Sequence, residues 1–178
     1  MSREPSFNLD WVTPQLAIGG RLPTEAAAHL AQRLRVSHVV DVRVEECDDE
    51  HRFRAHGIGF LHLPTLDTRA VSQSMLDDGV AWVNEHLDRG ARVLVHCEHG
   101  IGRSVLLVLC VLVSRGEPPL SALERAKTAR PVVSPSPEQL GAFAEWVRRW
   151  SIRPGRRVEV PDLDALGRIA YRHLTQSA

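Results

Sequence analysis

Apolar and polar positions along this chain change period repeatedly, and the changes mark its elements. Over residues 11–18 short extended stretches are broken by Pro14, and Gly19-Gly20 then turns the chain. Ala26, Leu30 and Leu34 stand four apart, which predicts a helix over 25–34 with Thr24 placed to cap it. Residues 36–42 (VSHVVDV) are few and β-branched, the mark of a buried strand. Charge dominates 46–56, which reads as an exposed helix ended by Gly57, and residues 60–63 read as a second strand stopped by Pro64. From Ser72 the helical period returns through Leu76, Val80, Val83 and Leu87, with Gly90 where a C-terminal cap belongs.

Residues 92–96 (RVLVH) read as a third strand, followed by a glycine-containing loop and a uniformly apolar run over 105–113 that ends near Gly116. Periodicity does not classify such a run; its length and its flanks favour a buried central helix. Further helices are predicted over 120–129 and 137–150, the second with Leu140, Phe143, Val147 and Trp150 on one face. Residues 154–178 open on Pro154-Gly155 and carry a last amphipathic helix through Leu163, Leu166, Ile169 and Leu174. Strands alternating with helices predict an α/β fold: a mainly parallel central sheet of about four to five strands with helices on both faces. One domain over 1–153 and a C-terminal helical appendage over 154–178 packed on it are the expected organisation.

Composition narrows the function classes. With 178 residues, 43% of them hydrophobic, the chain can bury a core, and 25% charged residues argue against disorder. Twenty-two basic residues balance 22 acidic ones, so the basic excess of a nucleic-acid partner is missing. The run over 105–113 is far below the roughly 18 residues that span a bilayer. The opening MSREPSFNLD is polar, so no secretory leader is expected, and three cysteines without scaffold spacing fit free thiols in a reducing, cytoplasmic setting. Lys127 is the only lysine among spread-out arginines, which reads as codon bias rather than as an anion-binding surface.

The chemistry concentrates in Val95-His96-Cys97-Glu98-His99-Gly100-Ile101-Gly102-Arg103-Ser104. A cysteine ends a strand, and an arginine and a hydroxyl residue open the next helix. The amides of Glu98, His99, Gly100, Ile101 and Gly102 can converge on an anion, aided by the positive end of that helix. Gly100 and Gly102 permit the tight curvature. A thiol beside a helix N-terminus and a cation favours its thiolate, and Arg103 offers a planar fork to two phosphoryl oxygens. Neither Cys47 nor Cys110 has an arginine six positions on, and both read as inert buried thiols. The bland alternative for Cys97 is the same. His96-Cys97-x-His99 could suggest a metal, but no second Cys/His cluster has zinc-type spacing, so no metal and no cofactor are expected.

Through HCEHGIGRS the sequence resembles the cysteine-dependent protein tyrosine phosphatase superfamily, whose signature is H-C-X5-R-[S/T], and it looks most like its small dual-specificity branch. The likeness runs over about 11–150 and includes VVDVRVEE, FLHLPTLD and ARPVVSPSPEQL. It implies a phosphatase-type fold and hydrolysis of phosphotyrosine, and of phosphoserine or phosphothreonine, through a phosphocysteine intermediate. Cys97 would be the nucleophile and Asp67 the general acid, with a turn residue after Pro64 as the plainer reading of Asp67. Arg103 and the five loop residues would hold the phosphate. Ser104 would ease departure of the sulfur, or cap the helix. His96 would orient the loop from behind.

The chain departs from the branch in three places. Pro135-Ser136 stands where Pro-Asn is frequent, Gln139 is either a family position or a surface helix residue, and Glu98 and His99 occupy the loop. Glu98 would repel a second phosphate if it faced the pocket. The only tyrosine, Tyr171, lies in the appendage, so a shallow pocket is expected. The alternatives are a phosphatase for a small or lipid phosphomonoester, a non-catalytic phosphate-binding module, and a sulfurtransferase or arsenate reductase.

Overall fold

The computed structural model describes residues 7–23 and 25–175. Five strands, β1 (Leu9–Trp11), β2 (Leu16–Gly19), β3 (His38–Arg43), β4 (Gly59–Thr65) and β5 (Val93–His96), lie in the order β1-β2-β5-β3-β4. Only β1 against β2 is antiparallel; the other three pairings are parallel. β5 is therefore central, and the loop after it opens at the carboxyl edge of the sheet, where α/β folds bind ligands.

The period-two alternation of these strands builds two cores. Ile18, Val40, Val42, Val93 and Val95 face one side, and Ala17, Val39 and Leu94 face the other. The second side is covered by α1 (Ala26–Gln32) and α2 (Glu50–Ala55). The first is covered by α3 (Gln73–Asp88), α4 (Arg103–Ser114), α5 (Pro119–Ala129) and α6 (Pro137–Ser151), with α7 (Leu163–Ala170) and the short α8 (Arg172–Thr175) outside them. Every residue of α4 is buried, which is why its sequence shows no polar stripe. It fills the middle of the larger core, between sheet and helices.

Several boundaries differ from the sequence reading, each for a physical reason. β4 runs through Pro64 to Thr65 instead of stopping before it. It is the edge strand, where a missing N–H leaves no ladder bond unmade. The charged helix begins only at Glu50, capped by Asp49, because Glu46 and Asp48 are drawn onto the buried Arg43. Ser104 is not a cap; the cap position of α4 is Gly102. The capping role read for Thr24 lies outside the described residues. Cys110 is buried, but Cys47 is exposed rather than a core thiol.

In the C-terminal segment Leu166 and Ala170 are buried, whereas Leu163 and Leu174 are 52% and 64% exposed, so the apolar stripe is shorter than its sequence. The segment packs on α5 and α6 and on the loop between them. The Tyr171 hydroxyl donates to Pro135 O at 2.6 Å, and the buried Lys127 ammonium donates to Val133 O at 2.6 Å and Ala170 O at 2.9 Å. The single lysine is thus a tie between segments.

Candidate active site

β5 delivers Cys97 to the sheet edge, where its buried Sγ receives the Gly100 N–H at 3.2 Å and lies 3.3 Å from Ser104 Oγ. α4 begins at Arg103, so its N-terminus follows the loop directly. The turn needs glycine at position 100. There φ is +68°, and a Cβ would stand 2.6 Å from the carbonyl carbon of Gly19. At Gly102 a Cβ would fall 2.3 Å from Gln139 Oε1. Gln139 is buried against the loop and is no surface residue.

Arg103 is buried and fully engaged at its two terminal nitrogens. Nη2 donates to Glu45 Oε1 at 2.7 Å, and Nη1 donates to Glu45 Oε2 and to Thr65 O, each at 2.8 Å. Asp67 Oδ1 makes an ion pair with Nη2 at 2.9 Å. Burial opposes the charge of Arg103, but the Glu45 hydrogen bond, with Cys97 and Asp67 nearby, holds the guanidinium above its usual value. The same hydrogen bond from Arg103 lowers Glu45 to about 2. Nothing in the sequence alone singles out Glu45. The acidic pair ending VVDVRVEE was the available signal, but spacing does not say which acid meets which arginine.

Asp67 is 59% exposed at its side chain and sits in a tight turn, where the Thr68 N–H donates to its Oδ1 at 2.9 Å and Thr68 has φ +64°. The start of α6 holds this turn. Gln139 Nε2 donates to Arg69 O at 2.9 Å and Ser136 Oγ to Thr68 O at 3.2 Å, while Ser136 and Gln139 form a reciprocal capping box. Ser136, standing where asparagine is frequent, ties the turn after β4 to the start of α6. Cys97, Arg103, Asp67, His99, Ser134 and Gln139 line a cavity of about 180 Å3.

Behind the loop lies a buried ionic cluster. His96 Nε2 bonds Asp48 Oδ2 at 2.6 Å, and Arg43 donates to Asp41, Asp48, Glu46 and Glu98. Burial works against Arg43 as well, but its hydrogen bonds to Asp41 and the neighbouring carboxylates raise its pKa. The Glu98 side chain meets Arg43 at 3.2 Å and Arg21 at 3.7 Å, so it is turned away from the cavity, and the repulsion read from sequence does not arise. Two groups, Asp41–Cys47–His62 and Asp41–Asp48–His96, bring possible metal-ligating atoms within 4.8 Å of one another. Both depend on Asp41, whose two oxygens already accept from Arg43, so a guanidinium stands where a cation would.

A thiol that receives an amide and lies beside a hydroxyl, a buried guanidinium and a carboxylate share one cavity. The family model for the dual specificity phosphatase catalytic domain matches residues 22–149. The chain belongs to the dual-specificity phosphatase family. Among curated proteins it is 26% identical over 152 residues to the dual specificity protein phosphatase Mpk3 of Drosophila melanogaster, covering 82% of this chain and 36% of that relative. The chain thus spans about a third of the relative's length. Among solved structures, Tk-PTP in its active form matches with a TM-score of 0.73 at 25% identity over 80% of this chain and 97% of that one. PTPMT1 in complex with PI(5)P matches with a TM-score of 0.75 over 80% and 96%; at 22% identity it supports the fold alone. In this dual-specificity phosphatase chain the matched segment starts after β1 and β2 and ends before α7. No helix of the described residues is long and apolar enough to cross a membrane.

Proposed function

We propose that this protein hydrolyses phosphomonoesters by two displacements at Cys97, acting as a protein phosphatase on phosphotyrosine and on phosphoserine or phosphothreonine. The observation that carries the reading is the sulfur of Cys97 bonded to the Gly100 amide and beside Ser104, with Arg103 and Asp67 on the same cavity. The Cys97 thiolate attacks phosphorus and the S–P bond forms as the P–O bond to the leaving group breaks. Asp67 gives that oxygen its proton. Water then attacks the phosphocysteine, Asp67 takes its proton, and the sulfur leaves as thiolate with Ser104 Oγ donating to it. Arg103 and the loop amides hold the equatorial oxygens through both steps. Every step uses groups of the chain itself, and we infer a cytoplasmic protein with residues 154–178 as an appendage to the catalytic unit.

A second reading, a small or lipid phosphomonoester as substrate, is favoured by the exposed apolar Leu66 beside Asp67. The experiment that tests the main reading is quenched-flow turnover of an aryl phosphate followed by mass spectrometry of the Cys97 peptide. A phosphate mass on that peptide is expected. Full turnover without it, or loss of activity in chelator, would overturn the mechanism. A substrate panel then separates the two readings.

A further inference from the structure

Arg130, at the C-terminal end of α5, is buried and belongs to none of the roles above. Its Nη2 donates to His99 O at 2.9 Å and its Nε to Gly100 O at 2.8 Å. These are carbonyls of the loop that carries Cys97. The His99–Gly100 peptide therefore has its oxygen on Arg130 and its N–H on Cys97 Sγ at 3.2 Å. Loop carbonyls must point outward if the amides are to point inward, and a buried carbonyl needs a donor. A cationic donor also polarises the peptide and strengthens the bond at its other end.

The remaining guanidinium bonds leave the matched family segment. Nη1 donates to Asp10 Oδ2 at 2.8 Å and Nη2 to Asn8 Oδ1 at 2.6 Å, both in or beside β1. Asp10 is thus the counter-ion that offsets part of the charge presented to the loop.

We infer that Arg130 is a positioning residue for the nucleophile: through the His99–Gly100 peptide it aims one amide at the Cys97 sulfur and stabilises the thiolate, and Asp10 tempers that effect. The inference rests on the reading of Cys97 as nucleophile. Its test reads thiol ionisation rather than turnover, so the two can fail separately. The other charged and titratable groups around Cys97 are Arg103 on α4, Glu98 and His99 in the loop, Asp67 after β4, Glu45 after β3 and His96 on β5. The test leaves all of them unchanged.

The measurement is the rate of iodoacetamide alkylation of Cys97 against pH, read by mass spectrometry of its peptide in a Cys47→Ser background, since Cys47 is exposed. Arg130→Gln should move the reactivity midpoint up by about one pH unit, Arg130→Lys by less, and Asp10→Asn down by a few tenths. A structural loosening alone would move the two sites in the same direction. A midpoint unchanged in Arg130→Gln, or raised in Asp10→Asn, overturns the inference. Should Arg130→Gln fail to fold, Asp10→Asn decides, because Asp10 is 45% exposed and its replacement keeps the shape.

Discussion

Glu45 closes on Arg103 with both carboxylate oxygens, at 2.7 and 2.8 Å, and so fixes the plane of its guanidinium fork. The Asp67 contact at 2.9 Å on Nη2 has a different character. It is an exposed side chain resting on the cation that we propose receives the phosphate. One carboxylate positions the arginine, and the other must give way.

Glu45→Gln should therefore lower kcat/KM for an aryl phosphate by about tenfold to a hundredfold while the protein stays folded, because a misaligned fork loses orientation. The pH dependence separates Glu45 from the nucleophile. Its folded value of about 2 lies below the ordinary 4.5, so its contribution is complete above about 4.5 and is lost only as pH falls through about 2. An acid limb in kcat/KM well above pH 2 that disappears in Glu45→Gln would contradict this assignment.

Asp67→Asn should flatten the basic limb of the pH profile and slow a poor leaving group by about 10²–10⁴-fold, with a smaller loss for a leaving group that needs no proton. The resting ion pair adds a second expectation. Freed of a competing carboxylate, Arg103 should bind inorganic phosphate a few-fold more tightly in Asp67→Asn, as calorimetry would read. Weaker phosphate binding in that variant would mean that Asp67 does not occupy the arginine.

Cys97→Ser should abolish turnover yet keep phosphate binding, since the amides and Arg103 remain. Retention of more than about a hundredth of the activity would rule out covalent catalysis here. Arg103→Lys should fail as well, because a point charge does not replace a planar fork already matched to Glu45 and Thr65.

The architecture was largely legible because β-branched runs and four-three spacings map directly onto strands and helix faces, and HCEHGIGRS marks one loop by its glycines and flanks. What the sequence did not show is pairing over long separations. Glu45 with Arg103, Glu98 with Arg43 and Arg130 with His99 O each join segments far apart in the sequence that the fold alone brings together. An arginine among many carries no mark of its partner. Pro64 misled for a related reason, since its tolerance depends on β4 lying at the edge, a property of topology rather than of local sequence.

Lys127→Met should cost about 2–4 kcal/mol in urea unfolding, because it leaves Val133 O and Ala170 O without their buried donor. Burial, then Arg172, lowers Lys127 below 10.5, so the folded chain releases this proton before the unfolded one. Stability should rise with pH in the window just below 10, and Lys127→Met should remove that slope. Above 10 the Tyr171 hydroxyl, raised by burial, acts in the opposite sense. A slope unchanged in Lys127→Met would show that the lysine stays charged in the fold.

Substrate charge gives the last expectation, on a basis that the structure changes. Glu98 lies on Arg43 and Arg21, so it does not decide which phosphates enter. The cavity decides instead. Among the described residues lining it, Arg103 is the only arginine or lysine, and two of its contacts are already carboxylates. A second phosphate on the same substrate would find no further arginine or lysine in that lining and would face Asp67. One like-charge pair at about 4 Å costs on the order of 4 kcal/mol near a protein surface and about 1 kcal/mol in bulk water. Even the smaller figure approaches the 1.4 kcal/mol that corresponds to a tenfold difference. A phosphotyrosyl peptide should therefore exceed a soluble inositol polyphosphate in kcat/KM by about tenfold or more at pH 7, with phosphotyrosine ahead of phosphoserine through its better leaving group. Glu98→Ala should leave that ratio unchanged while lowering stability, because it strips a partner from the buried Arg43. Higher efficiency on the inositol polyphosphate would overturn the protein-substrate reading, and a ratio that shifts in Glu98→Ala would place that side chain back in the pocket.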